Sequence, residues 1–139
     1  MSLTTNDGPA RSKIEILLPV QGYDIDVGGI VNNIVYVRWL ENLRQAWCDI
    51  HYPTEQMVAE GFIPALGSTH IEYKRAIRFG DKVVGRIWFE GFQGVRWNFG
   101  FEILANERTS ASAKQRGIFI TLAEKKIYRI PPEMIERFG

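Results

Sequence analysis

Only one stretch of this chain has a helical period, and almost everything after it alternates. Between Asn33 and Pro53, Tyr36, Trp39, Leu40, Leu43, Ala46 and Trp47 recur three and four residues apart, while Arg38, Glu41, Asn42 and Gln45 fill the other side. Asn32 and Asn33 are suitable N-caps for such a helix, and Pro53 stops it. Residues 55–60 read as a second, short helix closed by Gly61. Beyond Gly61 the period falls to two. Ile71, Tyr73, Ile77 and Phe79 share one parity, with Arg75 as the exception. Val83, Ile87 and Phe89 resume after a tight connection at Gly80-Asp81, and Trp97, Phe99, Phe101 and Ile103 alternate with Arg96, Asn98, Gly100 and Glu102. Residues 111–129 read as one long strand carrying Ile118, Ile120 and Leu122. Pro131-Pro132 ends it, ahead of a terminal helical turn over 133–138. An apolar strand over 13–20 precedes the long helix. One amphipathic helix against an antiparallel meander is an α+β architecture, and the breadth of the helix's apolar face implies that the sheet wraps it.

One domain accommodates all of this. The 139 residues are enough for a real core without staples. Residues 1–12 are polar, hold Gly8 and Pro9, and read as a flexible tail ahead of a single domain over 13–139. They lack the apolar core of a secretory signal. Lys and Arg number 17 against 16 Asp and Glu, a net charge of +1, so no bulk field exists to collect nucleic acid. No apolar run approaches the ~20 residues that span a bilayer. The lone Cys48 excludes an intrachain disulfide and a cysteine-based zinc cluster, and fits a cytoplasmic setting. His51 and His70 are too few for a His-rich metal centre, so no metal is expected. Cys48 lacks an activating neighbour in sequence and reads as an inert helix residue.

The residues richest in chemistry run from Tyr23 to Glu41. Asp24 and Asp26 lead through Gly28 and Gly29 into a helix N-terminus. Free N–H groups there carry partial positive charge and can polarise a carbonyl or hold an oxyanion. The same dipole keeps a nearby carboxylate ionised, and glycines let backbone approach a ligand. A carboxylate with oriented amides suffices for acyl transfer from a reactive ester. The same residues also suit plain Asx turns before a capped helix, and on spacing alone that reading is the stronger.

The run Asp26-Val-Gly-Gly-Ile-Val-Asn-Asn-Ile-Val-Tyr36-Val-Arg-Trp-Leu-Glu41 resembles the signature of hotdog-fold acyl-CoA thioesterases of the 4-hydroxybenzoyl-CoA thioesterase type. A second stretch, Ile71-Glu-Tyr-Lys-Arg-Ala-Ile-Arg-Phe-Gly-Asp81, is similar to the family's strand-turn segment, with Ala76 where a proline usually stands. Arg129-Ile-Pro-Pro-Glu133 resembles the family's usual ending. Val31-Asn32-Asn33 is also similar to fatty acyl thioesterases that carry a His one place earlier. Ile30 stands there, so a mechanism through that His is not supported.

The resemblance implies hydrolysis of an acyl-CoA or aroyl-CoA to free acid and CoA. Asp26 would be nucleophile or general base, and the Asn33 backbone N–H would hold the carbonyl oxygen. Gly28, Gly29, Ile30, Asn32, Tyr36 and Phe62 would contact the substrate, although the two aromatics suit plain core packing as well. Arg75 and Arg78 belong to a local basic stretch with Lys74, Lys82 and Arg86, which suits CoA phosphates or simply solvated strand edges. No cofactor is implied, because coenzyme A is part of the substrate. A homodimer or homotetramer with the site near its seam is implied as well. A non-catalytic hotdog module that binds acyl-CoA or scaffolds an assembly is the alternative, because function lives in the site and not in the fold.

Overall fold

A computed structural model describes residues 3–6 and 12–139. Its elements run β1 (Leu3–Asn6), β2 (Lys13–Leu17), a one-turn 3-10 helix (Gly22–Asp24), α1 (Asn33–His51), α2 (Thr54–Glu60), β3 (Phe62–Tyr73), β4 (Val83–Gln93), β5 (Arg96–Ala105), β6 (Arg108–Thr121), β7 (Ile127–Tyr128) and α3 (Pro132–Phe138). Asn32 caps α1 as its side-chain oxygen accepts the Ile34 N–H at 2.9 Å. Pro53 ends the helix by bending the chain into α2, and the Tyr52 hydroxyl donates to the Glu60 carboxylate at 2.6 Å across that corner.

The strands form one antiparallel sheet in the order β1-β2-β4-β5-β6-β3, with β7 added to β6. The concave face of this sheet receives α1. Val35, Tyr36, Trp39, Leu40, Leu43 and Trp47 bury against Ile14 and Ile16 of β2, Val83 and Ile87 of β4, and Trp97, Phe99, Phe101 and Ile103 of β5. Gly85 marks the crossing point of α1 on β4. A Cβ there would lie 2.7 Å from Leu43 Cδ1 and from Leu18 Cδ1, so only glycine admits the helix so close.

Three expectations need correction. The strands do not form a simple meander. β4, β5 and β6 do, but β3 crosses to pair with β6 from Phe62↔Thr121 to Tyr73↔Ala111, leaving it at the opposite end of the sheet from β2. Gly80-Asp81 therefore joins no hairpin, and residues 74–82 form a long irregular crossing with Ile77 in the core and Phe79 exposed. The strand expected over 111–129 is in fact β6, a turn, and β7. Lys125 takes a left-handed φ of 57° and folds Ile127 and Tyr128 back onto Phe119 and Ile120, where Tyr128 stacks on Phe62 at 4.4 Å. Residues 3–6, expected within the tail, pair with β2 as β1. Residues 1, 2 and 7–11 of that tail lie outside the described residues.

Candidate active site

The stretch from Asp24 to Asn32 is a small hairpin set against the start of α1. Asn32 N–H donates to Asp24 O at 2.9 Å and Asp26 N–H to Ile30 O at 3.0 Å, on either side of the Ile25↔Val31 bridge. Gly29 N–H closes the turn on Asp26 O at 3.0 Å. Gly29 then takes φ +79°, the left-handed residue that ends a three-residue hairpin loop and that a β-carbon would strain. This is why the sequence needs glycine at the tip.

The two aspartates have different surroundings. Asp24 is only 3% exposed. Its Oδ2 accepts the Gln21 N–H at 2.9 Å, and its Oδ1 lies 3.4 Å from the Arg38 guanidinium of α1. Asp26 is exposed, and its Oδ1 accepts the Gly28 N–H at 2.8 Å, an Asx turn that fixes the carboxylate while leaving its second oxygen free. The first amides of α1 are partly spent. Ile34 N–H serves the Asn32 side chain and Val35 N–H the Asn32 carbonyl. Among the described residues no acceptor meets the Asn33 N–H. Among the described residues it is the one free donor at the positive end of a 19-residue helix.

The second sequence motif is tied to the first. Val31 N–H donates to Ile77 O at 2.8 Å, which seats the 74–82 crossing beside the hairpin and brings exposed Arg75 and Arg78 to the same end of the fold. Neither arginine joins an ion pair among the described residues, whereas Arg38, Arg44 and Arg86 all do. Tyr36 is buried one turn into α1. It meets Tyr73 edge-on at 5.0 Å, and burial and the neighbouring Tyr73 push its hydroxyl pKa up to about 12. Gly28, Gly29, Ile30 and Asn32 share the hairpin with Asp26, and Asn33 and Tyr36 follow it in the first turn of α1, with Asn32 serving as cap. Phe62 is not among them. It is fully buried at the far end of β3, against Tyr52, Phe119 and Tyr128. Burial lifts the Cys48 thiol pKa to about 11, as suits an inert residue.

Ile34 and Val37 of α1 are exposed apolar side chains, and so are Leu66 and Tyr73 of β3, whose ring meets Tyr36 of α1. A polar chain not announced by the sequence joins α1 to β6 and β3 near mid-helix. Glu41 pairs with Arg44, Arg44 donates to the Gln115 side-chain oxygen, and Gln115 Nε2 donates to Thr69 Oγ1 at 3.2 Å. The signal for it was a glutamine on the inward parity of β6, among Ala111, Ala113 and Gly117. No group of three His, Cys, Asp or Glu side chains among the described residues is placed to hold a metal.

The Thioesterase-like superfamily profile matches residues 20–138. The chain belongs to that family. Among curated proteins, this thioesterase-like chain is 25% identical over 126 residues to an acyl-acyl carrier protein thioesterase of Arabidopsis thaliana chloroplasts, a match that takes in 89% of the chain. It spans 66% of that relative's length, just under two thirds. Solved structures share its hotdog fold. A hypothetical protein from Aquifex aeolicus superposes with a TM-score of 0.81 at 23% identity, covering 90% of this chain and 98% of that one. A 1,4-dihydroxy-2-naphthoyl-CoA thioesterase from Synechocystis gives 0.76 at 19% identity, over 86% and 90%. A Thermus thermophilus thioesterase complexed with coenzyme A and Zn gives 0.77 at 21%, over 94% and 91%. No helix among the described residues is long and apolar enough to cross a membrane.

Proposed function

We propose that this protein hydrolyses an acyl-CoA or aroyl-CoA thioester at the hairpin–helix junction. What supports the reading is a fixed, exposed carboxylate, Asp26, on the hairpin that leads into α1, together with the free Asn33 N–H at the start of that helix. As general base, Asp26 takes a proton from water as the hydroxide adds to the thioester carbonyl. The Asn33 amide holds the oxyanion, and collapse expels the thiolate of CoA, which recovers the proton from Asp26. As nucleophile, Asp26 would form a mixed anhydride that water then opens. A thiolate leaves readily, so neither route needs a strong general acid. Gly28, Gly29, Ile30 and Tyr36 border the reacting group in this reading, and no cofactor takes part.

The working unit in this reading is a homodimer or homotetramer. Asp26 faces solvent in a single chain, where water weakens the electrostatic stabilisation such chemistry needs. The free edge of β3 and the apolar side chains beside it are suited to a second copy. The test is a panel of short, long and aryl CoA thioesters read by free-thiol release. Turnover of any member supports hydrolysis. Tight acyl-CoA binding with no turnover anywhere on the panel overturns it in favour of a binding module.

Arg75 and Arg78 are free to meet the CoA phosphates. Arg75→Ala combined with Arg78→Ala is expected to raise KM for CoA thioesters about tenfold or more, at roughly 1.5–3 kcal/mol per charged hydrogen bond lost. The same variant should leave KM for a short N-acetylcysteamine thioester unchanged, since that substrate lacks phosphates. Equal effects on both substrates would remove these arginines from the CoA site.

A further inference from the structure

We infer that the Arg44–Gln115 bridge sets the length of acyl group this protein accepts, by separating the exposed apolar strip on α1 and β3 from an aromatic cavity at the other end of the helix. The inference rests on the proposed thioester hydrolysis for its kinetic consequence, but not for its geometry.

Two apolar regions lie along α1. The first is the exposed strip of Ile34 and Val37, with Tyr73 of β3 donating its hydroxyl to the Asn33 carbonyl at 3.4 Å. The second is a small cavity of about 30 Å³ at the other end of the helix, lined by apolar and aromatic side chains that include Trp47, Met57, Phe92, Trp97 and Met134. Among the described residues, Arg44 is the only charged one on its wall. The guanidinium lies 5.5 Å from the Trp97 ring centre, on the cavity side. Its hydrogen bond to Gln115 and ion pair with Glu41 hold it there. Gln115 is 1% exposed, and Thr69 of β3 satisfies its amide. The bridge therefore links α1 through β6 to the edge strand β3, between the apolar strip toward Asn33 and the aromatic cavity whose wall Arg44 joins.

The chemistry of the bridge fits a barrier. A buried glutamine and a mostly buried arginine cost desolvation that an aliphatic pair of equal size would avoid. Here every polar end is satisfied, so the arrangement is fixed in one geometry rather than merely tolerated. Arg44 lies eleven residues beyond Asn33, which is about 16 Å of helix at 1.5 Å per residue. An acyl group whose carbonyl sits at the Asn33 amide and whose tail follows α1 meets the bridge at that depth. An apolar methyl end cannot replace the hydrogen bonds it would break. Without the bridge, the tail would continue onto Trp97 and Trp47, and the adaptable Met57 and Met134 side chains can make room for it.

The test compares wild type with Gln115→Ala on acyl-CoAs from acetyl to palmitoyl. A second measurement follows tryptophan fluorescence with a stearic acid carrying a doxyl quencher near its methyl end. Trp47 and Trp97 line the cavity and report entry of the label. The expected result is at least a tenfold rise in the ratio of palmitoyl to butyryl kcat/KM in Gln115→Ala, with doxyl quenching at least twice that of wild type. Arg44→Met keeps an apolar stem over Trp97 and serves as the second variant if Gln115→Ala fails to fold. A folded variant with wild-type ratio and wild-type quenching overturns the inference, as does a wild type that already hydrolyses palmitoyl-CoA as well as butyryl-CoA. If neither protein hydrolyses any thioester and quenching still rises in the variant, the barrier stands and the proposed hydrolysis fails. Absence of both turnover and added quenching overturns both.

Discussion

Asp26→Asn is expected to cut thiol release from a CoA thioester by about a hundred- to ten-thousandfold, the range for loss of a positioned base. The substitution isolates chemistry from structure. Asparagine keeps the oxygen that accepts the Gly28 N–H at 2.8 Å, so the hairpin retains its Asx turn. What disappears is the negative charge that either takes a proton or attacks the carbonyl. The melting temperature should stay within a degree or two of wild type. Asp24→Asn makes the comparator. Asp24 is buried, and its carboxylate ties Gln21 and Arg38 to the hairpin. Its replacement should destabilise the fold by roughly 1–3 kcal/mol, the cost of weakening a buried charged hydrogen bond. It should alter the rate only through that. A folded Asp26→Asn protein with wild-type turnover would remove Asp26 from the mechanism.

The second large effect is expected at the edge of β3. β3 ends the sheet, and its residues 67–70 are exposed, so one row of backbone N–H and C=O groups lacks a partner strand. Ile34, Val37, Leu66, Tyr73 and Phe79 add exposed apolar surface to the same side. A second copy brought antiparallel to this edge would continue the sheet and cover those side chains. Light scattering should therefore give a native mass at least twice 15.9 kDa. Val37→Glu enters a two-fold interface twice, and two buried charges without partners cost several kcal/mol. At about 1.4 kcal/mol per factor of ten, that weakens dimerisation about a thousandfold or more. Mass and activity should fall together and recover together at high protein concentration. A wild-type monomer, or a monomeric Val37→Glu with full turnover, would place the whole site within one chain.

Local patterns carried some elements well. The α1 boundaries follow from Asn32 as cap and Pro53 as breaker, and β4 and β5 follow from strict alternation over a buried face. The motif residues around Asp26 were equally legible, since a carboxylate, a glycine pair and a helix start are adjacent in sequence. β3 was legible only at its end, where Ile71 and Tyr73 share a parity. Residues 66–70 are exposed in a single chain, so little apolar alternation announces the rest of the strand. Its partner residues in β6 also lie 38 to 59 positions away, from Tyr73↔Ala111 to Phe62↔Thr121, beyond any local signal. The break at Lys125 was hidden because its left-handed turn uses no glycine. Phe62 looked like a site residue because an aromatic in a strand reads alike in a pocket and in a core. The Arg44–Gln115 contact joins residues 71 positions apart, and only the fold brings them together.

The bond from Val31 N–H to Ile77 O fastens the reacting hairpin to the loop that bears Arg75 and Arg78. Under the proposed function, one rigid strap then links the two ends of a long substrate. Grip on the nucleotide end steadies the amide that must meet the carbonyl, so part of the affinity for coenzyme A becomes rate rather than binding. A thioester stripped of its nucleotide would bind the same groove yet react slowly in it, and the enzyme would thereby distinguish a CoA ester from any other thioester of the same acyl group.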